Sequence, residues 1–403
     1  MMFSGIDGFF YVLFLAGGAI IGSFLNVCIV RMPRNESVVF PSSHCPRCQV
    51  AIRWFDNIPL VSFLVLRARC RACRQPIPWR YFLVELVMAG FSLWTYICFG
   101  LSWALVPALA FVAALLVASL VDIEWRIIPD EISVGGMWAG LVLSFVFPAL
   151  HKGPAAGVLL TGASVAFILA AVCLALYFFR ILRYKLALGD WDRNVLLLGV
   201  LFLVGQWAAY TLAPFLPLCQ AGLFALADAL QGAVTGACAL WFTGLVGEIF
   251  ISKRIVTEYD FKGVVDDPEG LLKSLARDGY VDAQGNLQPA FRAVKSAAGL
   301  SLPAGCEAKR AEIFEIIQSV DEGGVMGWGD IKLMAMAGAF LGWQMAGLAF
   351  FIAPFFGAAY GLVKIIRRQD TAIPYGPFLA IAFIACLYWG DLLLRRIMVL
   401  YGL

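Results

Sequence analysis

The 403-residue sequence contains few charged residues and almost no histidine. Only 14% of its residues are charged, against about 25% in an average soluble domain, while 62% are hydrophobic. This composition predicts a membrane protein, and a net charge of only +3 gives no reason to expect a nucleic-acid partner. With two histidines, His44 and His151, and no H-E-x-x-H motif, zinc metalloproteases and most histidine-based catalysis are excluded. Carboxylates, thiols or hydroxyls must carry any catalysis.

Long apolar stretches account for most of the chain. A bilayer core of about 30 Å requires about 20 mostly apolar residues in a helix. The sequence therefore predicts an all-α polytopic membrane protein with about ten transmembrane helices. These spans lie near residues 8–30, 81–100, 103–122, 131–150, 155–180, 194–217, 222–250, 331–343, 345–365 and 376–400. The span at 331–343 is short and contains two glycines, so it could join its neighbour as a bent or broken helix.

Basic residues predict the orientation in the membrane. The first span follows Asp7 and precedes Arg31, the reverse of a cleavable signal peptide, so we expect it to be retained with its N-terminus outside. The loop from Arg31 to Arg80 carries nine arginines but only Glu36 and Asp56 as acids, which favours the cytosol. Ten crossings would return the C-terminus to the outside, although two arginines in the last span argue mildly against this.

Two C-x-x-C pairs in this arginine-rich loop predict a metal site. Cys45, Cys48, Cys70 and Cys73 have the pattern of a four-thiolate zinc site, with 21 residues between the pairs. Two disulfides are the alternative, but thiols stay reduced in the cytosol. Because the protein would supply all four ligands, the predicted zinc is structural rather than catalytic. The remaining seven cysteines are interpreted as small buried hydrophobic residues.

Two aspartates at the ends of apolar runs are candidate catalytic residues. Asp122 ends one run, and Asp330 closes the sequence Gly327-Trp-Gly-Asp and opens another run. Under the predicted topology both lie at the cytosolic face, where two carboxyls could hydrolyse a peptide bond, one taking a proton from water while the other polarises the carbonyl. The helix dipole favours Asp330 as the base and Asp122 as the proton holder. Alternatively, Asp122 forms only a surface ion pair with Arg126.

Other acidic residues have simpler interpretations. Asp130 follows Pro129 and is predicted to cap a helix that begins at Glu131. Asp228, Glu248 and Asp391 belong to no motif, so local polar contacts are expected of them. Gly327 and Gly329 are either ordinary loop glycines or positions that let the backbone approach a substrate strand.

The second charged segment, residues 252–325, holds nine basic and twelve acidic residues. A short amphipathic helix pattern after Pro268 and a turn-rich pattern from Asp278 to Leu287 predict a small α+β insert on the inner side. It is either an inert addition or a surface that recognises a substrate or partner.

An ordered set of motifs resembles the type IV prepilin peptidases, a group within the GxGD membrane aspartyl proteases. The matching segments, in chain order, are GSFLNVCIVRMP at 22–33, the two C-x-x-C pairs, WRYFLVE at 79–85, DIEWRIIPD at 122–130, GWGDIKL at 327–333 and IPYGPFL at 373–379. The resemblance covers residues 8 to about 180 and 326–400. It implies that Asp122 and Asp330 are the catalytic pair.

The resemblance also implies a second activity. Members of this family cleave a short basic leader from prepilins or pseudopilins at the cytosolic face of the bacterial inner membrane, in type IV pilus or type II secretion systems. They then methylate the new N-terminus with S-adenosylmethionine, a function associated with the first cytosolic loop. Gly22, Asn26 and Glu85 match the family pattern. Gly327, Gly329, Lys332 and Glu85 are the residues expected to support the substrate or the catalytic motif. No Rossmann-type fingerprint marks a donor site.

The chain departs from the family at 186–325, since members usually have about eight spans. The expected division is a first transmembrane helix (1–31), a cytosolic zinc-binding domain (32–80), a membrane domain with Asp122 (81–185), an inserted transmembrane pair (186–251), a soluble cytosolic insert (252–325) and a membrane domain with the G-x-G-D motif (326–403). The alternatives are a leader peptidase without methylation, and a non-enzymatic transporter or assembly factor.

Overall fold

A computed structural model shows a helical membrane protein. It describes residues 5–34, 36–45, 47–151, 156–184, 220–255, 280–281, 287–288, 327–366 and 374–400, with isolated positions between 202 and 219. The helices in these ranges are α1 (Gly5–Arg31), α2 (Val61–Val65), α3 (Trp79–Phe99), α4 (Leu105–Trp125), α5 (Asp130–Val146), α6 (Ala156–Tyr184), α7 (Gln220–Ile255), α8 (Trp328–Leu341), α9 (Trp343–Ile366) and α10 (Gly376–Leu400). Three short 3₁₀ turns lie at Met32–Arg34, Trp54–Asn57 and Pro148–His151.

Six of the described helices are long and apolar enough to cross a membrane. They are Asp7–Arg34, Trp79–Phe99, Leu105–Trp125, Gln220–Val246, Trp343–Lys364 and Gly376–Leu400. Each coincides with a span expected from the sequence, because runs of apolar residues can satisfy their backbone groups inside a bilayer only as helices. The expected all-α membrane architecture is therefore confirmed.

The expected number of ten spans is not reproduced among the described residues. Helix α5 has 17 residues and α8 only 14, while the described apolar part of α6 is Thr161–Leu176. Gly342, with φ at +79°, ends α8 before α9 begins, so the short span is a separate helix, shorter than the roughly 20 residues that cross a bilayer. Most of the expected span at 194–217 lies outside the described residues.

The soluble insert is described in only two short pieces. An antiparallel pair joins β1 (Tyr280–Val281) to β2 (Leu287–Gln288), with Tyr280 opposite Gln288. This pair corresponds to the hairpin expected from the turn-rich pattern. Helix α7 extends to Ile255, past the expected boundary at 251/252. The remainder of the insert lies outside the described residues, so its α+β fold stays a prediction.

The main core lies where α4, α8 and α10 meet. Phe111 of α4 stacks on Phe340 of α8, with ring centroids 4.9 Å apart, and also contacts Phe383 of α10. A second cluster joins α1, α3 and α4 around Ile29, Met88 and residues of α4. Because α4 belongs to both clusters, it connects the N-terminal helices to the C-terminal ones.

Helices α7 and α8 cross with their backbones in contact. A methyl group built on Gly232 would overlap the backbone oxygen of Gly338, and one built on Gly338 would overlap the oxygen of Gly232. Small residues permit such close approach between membrane helices, where van der Waals packing replaces the hydrophobic effect. This crossing fixes α8, and therefore its first turn, against the long helix α7.

We expect Gly338→Ala to destabilise the folded protein. The added methyl must displace the backbone of α7, and overpacking of this kind costs about 1–3 kcal/mol. Unfolding of the detergent-solubilised protein can be followed by tryptophan fluorescence, since the chain has 12 tryptophans. Gly347→Ala on α9 is the matched control, because nothing lies within 4 Å of its Cβ position. An equal melting temperature for both variants would contradict the described crossing.

Candidate active site and metal centre

Asp122 lies in the last turn of α4 and is 7% exposed. The helix closes just beyond it, because Arg126 adopts a left-handed conformation, with φ at +57°, and its N–H donates to the Asp122 carbonyl at 3.0 Å. The extended backbone of Pro129 then separates α4 from α5. Asp122 is therefore held at a rigid helix end beside a chain reversal.

Asp330 lies in the first turn of α8. Gly327 is extended at the cap position, and its carbonyl accepts the Asp330 N–H at 3.1 Å. The carboxyl of Asp330 is close enough to Asp122 for the two charges to interact. Two residues that are 208 positions apart in the sequence thus come together at one end of the bundle.

A third segment, at the start of α10, completes this arrangement. The N–H of Gly376 donates to Asp122 Oδ2 at 3.0 Å, and a Cβ on Gly376 would lie only 2.8 Å from that oxygen. Tyr375 lies within electrostatic reach of Asp330. The sequence placed these residues in a family-like motif, but no local pattern could show that Gly376 contacts Asp122.

Gly329 and Lys332 join the two aspartate segments. A Cβ on Gly329 would lie 3.2 Å from the Cβ of Ile128, so a larger residue would push α8 away from the loop after α4. Lys332 Nζ donates to Asp130 Oδ1 at 2.6 Å. Gly327 lies beside the Asp330 carboxylate, since a Cβ built on Gly327 would be 3.3 Å from Asp330 Oδ2.

Asp130 does not have the expected role of a helix cap. Helix α5 begins at Asp130 itself, and Pro129 occupies the cap position. The expectation was wrong because the helix starts one residue earlier, so the Asp130 carboxylate lies in its first turn and binds Lys332 instead. The Asp130 carboxylate is 64% exposed and pairs with Lys332. An exposed pair of this kind contributes only about 0–1 kcal/mol, so its consequence is alignment of the segments rather than stability.

Glu85 lies between α1, α3 and the cysteine-containing loop. Its Oε2 accepts the Leu60 N–H at 2.7 Å, and it is also hydrogen-bonded to Ser23 of α1. A Cβ on Gly22 would lie 2.7 Å from the Glu85 Cα, which explains why glycine allows α1 and α3 to approach here. Asn26 Nδ2 donates to the Tyr81 carbonyl at 3.0 Å. The family-like residues of α1 and α3 therefore fasten these helices and the loop together.

The four loop cysteines form one cluster. Their sulfur atoms all lie within 4.8 Å of one another, and the Sγ atoms of Cys45 and Cys73 are 3.9 Å apart. A tetrahedral site with Zn–S bonds of about 2.3 Å has sulfur–sulfur edges of about 3.8 Å. The cluster thus fits zinc, and all four cysteines are free thiols in the structure.

Two similar turns form the cluster. The Gln49 N–H donates to the Cys45 carbonyl at 2.9 Å, and the Arg74 N–H donates to the Cys70 carbonyl at 3.0 Å. Gln49 and Arg74 both have positive φ, at 59° and 58°, so each C-x-x-C pair is followed by a residue in the same left-handed conformation. Each turn directs its two thiols to one side, where they meet those of the other turn.

Backbone N–H groups also favour the thiolate form in this cluster. The N–H of Cys48 is the main cause that lowers the pKa of Cys45 to about 7, while burial acts in the opposite direction. The N–H of Gln75 likewise favours the thiolate of Cys73, but burial and hydrogen bonds with the other thiols raise its pKa to about 11. The pKa values of Cys45 and Cys73 thus differ because hydrogen bonds within the cluster keep some thiols protonated beside others that are ionised. A bound metal cation would displace the remaining protons.

The remaining candidates outside these sites have local partners or lie in the core. Asp228 Oδ2 is 2.8 Å from Nδ1 of His151, which is the type of local polar contact expected of it. Cys28, Cys173, Cys238 and Cys386 are buried as expected. Cys98 and Cys219 are exposed instead, because they lie at positions that the bundle does not cover. The side chain of Glu248, and Cys306, lie outside the described residues.

Comparison with known proteins identifies the family. Residues 16–99 match the family model described as the bacterial peptidase A24 N-terminal domain, and residues 282–362 match the type IV leader peptidase family. No solved structure matches the chain.

Curated relatives agree with the family models. A protein named prepilin leader peptidase/N-methyltransferase from Myxococcus xanthus is 37% identical over 254 residues, covering 61% of this chain and 69% of its own. Proteins of the same name from Klebsiella pneumoniae and Stutzerimonas stutzeri are 34% and 25% identical, covering 50% and 95% of this chain and 86% and 91% of their own. The two motif-bearing segments, the membrane helices and these relatives show that the chain belongs to the type IV leader peptidase family.

Proposed function

We propose that the chain is a bifunctional prepilin leader peptidase and N-methyltransferase. It cleaves the leader of prepilins or pseudopilins at the cytosolic face of the bacterial inner membrane and then methylates the new N-terminus. The observation that carries the peptidase proposal is the meeting of Asp122, Asp330 and Gly376, from three distant segments, at one end of the bundle. The names of the relatives support the substrate class and the second activity.

The two aspartates would act as a shared acid–base pair. One ionised carboxylate takes a proton from water as the water attacks the scissile carbonyl, while the protonated partner donates a hydrogen bond to the carbonyl oxygen. The carbon–nitrogen bond then breaks as the leaving amine gains a proton. The Gly376 N–H favours charge on Asp122, whereas the start of α8 favours charge on Asp330. The assignment of Asp330 as the base therefore stays a prediction.

Neighbouring residues would position the pair. Gly329 allows α8 to approach Ile128, and Lys332 aligns α8 with α5 through Asp130. Gly327 leaves open backbone next to Asp330, where an extended substrate strand could bind. Glu85 would support the loop rather than the reaction, since its carboxylate binds the Leu60 N–H.

A transporter is the less suitable function for these acids. Acids that conduct ions or substrates line a path through the bilayer. Asp122 and Asp330 instead lie together, at the end of α4 and the start of α8. A pair of carboxyls at one end of the bundle suits a substrate whose own apolar helix stays in the bilayer.

The domain division of the sequence remains part of the proposal. In this division residues 32–80 form the zinc-binding domain that is associated with methyl transfer, and S-adenosylmethionine is the methyl donor. Cys45, Cys48, Cys70 and Cys73 would hold zinc, which supplies a structural crosslink to a loop too small for its own core. The insert at 186–325 is assigned no role.

Asp122→Asn and Asp330→Asn should each abolish leader cleavage. An amide can neither take nor supply the transferred proton, so the rate should fall by about 10²–10⁴-fold or more. Purified variants in lipid are incubated with a prepilin, and cleavage is followed by gel electrophoresis. Glu131→Gln is the matched control, since this exposed carboxylate lies near the same end of the bundle. Cleavage at the normal rate by both aspartate variants would refute the proposed mechanism.

Cys45→Ser and Cys73→Ser should each remove bound zinc. Loss of one of four thiolates breaks the closed coordination shell, and the metal content measured by mass spectrometry should fall from one zinc per chain towards zero. Cys98→Ser is the control, because Cys98 is an exposed cysteine outside the cluster. A wild-type protein that contains no zinc and shows four oxidised loop cysteines would favour the disulfide alternative.

Methylation can be tested separately from cleavage. With S-adenosylmethionine present, mass spectrometry of the processed substrate should show an added methyl group at the new N-terminus. The Asp330→Asn variant, supplied with a substrate that already lacks its leader, should still methylate it, because the dyad has no part in methyl transfer. Cleavage without any added methyl group would identify a leader peptidase that lacks the second activity.

A further inference from the structure

Helix α2, in the cysteine-containing loop, presents an exposed apolar face that the proposed reactions do not use. Ser62 and Phe63 point inward and are buried. The other side is formed by Val61, Leu64 and Val65, which are 53%, 62% and 70% exposed. Three adjacent aliphatic side chains are an unusual surface for a loop that also carries many arginines.

Three contacts place α2 alongside the first turns of the membrane-spanning helix α3. The Leu60 N–H donates to Glu85 Oε2 at 2.7 Å. Glu85 is six residues after Trp79, the first residue of α3, which corresponds to about 9 Å along the helix axis. The Phe63 ring lies 5.0 Å from the Trp79 ring and 5.2 Å from that of Phe82. Helix α2 therefore reaches along the span instead of lying beyond its end.

The polar residues at this end of the bundle mark where the hydrocarbon begins. Arg80 pairs with Glu124, which belongs to the last turn of α4. Trp79 is 63% exposed, and tryptophan is typical of the membrane interface. Leu60 binds the carboxylate of Glu85, whose side chain extends back toward the start of α3, so the start of α2 lies near the level of this ion pair, at the border of the hydrocarbon.

The exposed face of α2 continues the lipid-facing surface of α3. Leu83 and Leu86 follow Trp79 on one stripe of α3, at helical spacing, and are 52% and 47% exposed. Phe63 packs on the same stripe, through Phe82. The aliphatic side chains of α2 are thus neighbours of side chains that face acyl chains in the spanning helix.

Arginines follow α2 directly in the sequence. Arg67 and Arg69 are exposed, and the chain turns sharply between them because Arg67 and Ala68 both have positive φ, at 51° and 55°. One guanidinium group can bind two phosphate oxygens at once, and the long arginine side chain can extend from an apolar surface to the headgroup region. An apolar helix next to such arginines therefore matches a phospholipid leaflet, in which a layer of acyl chains lies beneath a layer of phosphate headgroups.

We propose that α2 is inserted into the lipid leaflet on the side of the zinc loop. Val61, Leu64 and Val65 contact acyl chains, and Arg67 and Arg69 bind phospholipid phosphates. The zinc-binding domain is then fixed to the bilayer by its own helix, in addition to its covalent connections to α1 and α3.

Photo-crosslinking in lipid nanodiscs tests the apolar contact. Benzoylphenylalanine is incorporated at Val65 of the full chain, in nanodiscs of phosphatidylethanolamine and phosphatidylglycerol, and lipid adducts are measured by mass spectrometry. The yield should be comparable to that from Phe351, a 68% exposed residue of α9, and several-fold above that from Val50, a 51% exposed residue of the first cysteine turn. A yield at Val65 no higher than at Val50 would overturn the proposal, as would crosslinks from Val65 to protein alone.

Native mass spectrometry tests the phosphate contact. The double variant Arg67→Gln/Arg69→Gln should retain several-fold less phosphatidylglycerol than the wild type. The matched control, Arg395→Gln/Arg396→Gln, removes two positive charges from the C-terminal part of α10. It should not lower the amount of phosphatidylglycerol that the loop retains. Retention that is equal in the wild type and the first double variant would disprove the headgroup role of these arginines. A normal zinc content shows that the loop remains folded.

Discussion

The hydrocarbon core of a membrane has no hydrogen-bond partners to offer, and the rest of the structure depends on this constraint. Apolar runs must form helices, and polar side chains are tolerated only where helices end or pair. Asp122 at the end of α4 and Asp330 at the start of α8 follow this rule. Their meeting requires α8 to begin at the level at which α4 ends, and the close packing of α8 against α7 holds it there.

Packing contributes more than polar bonding to holding the bundle together. The ion pair between Lys332 and Asp130 is exposed and contributes little free energy, whereas the aromatic contacts of Phe111, Phe340 and Phe383 bury large side chains in the centre of the bundle. Gly232 and Gly338 let the backbones of α7 and α8 approach each other on another side of α8. Polar groups such as the Gly376 N–H then determine how the carboxyls are oriented.

The cysteine-containing loop is built by a different principle. Its two turns bring four thiols together through backbone hydrogen bonds and left-handed residues. The loop is also attached to the membrane helices through Glu85 and the rings around Phe63. Loop and helices therefore form one structure in which the position of the loop depends on a buried carboxylate.

The sequence by itself determined the features that depend on local pattern. Apolar runs predicted the spans, C-x-x-C spacing predicted the cluster, and ordered motifs indicated the family and the two aspartates. It could not determine which distant segments meet, so the contact of Gly376 with Asp122, the Asp130–Lys332 pair and the contact of Phe63 with α3 were decided only by tertiary structure. Asp130 was misread as a cap for the same reason. Hydropathy is a property of neighbouring residues, whereas these contacts depend on how separate helices pack.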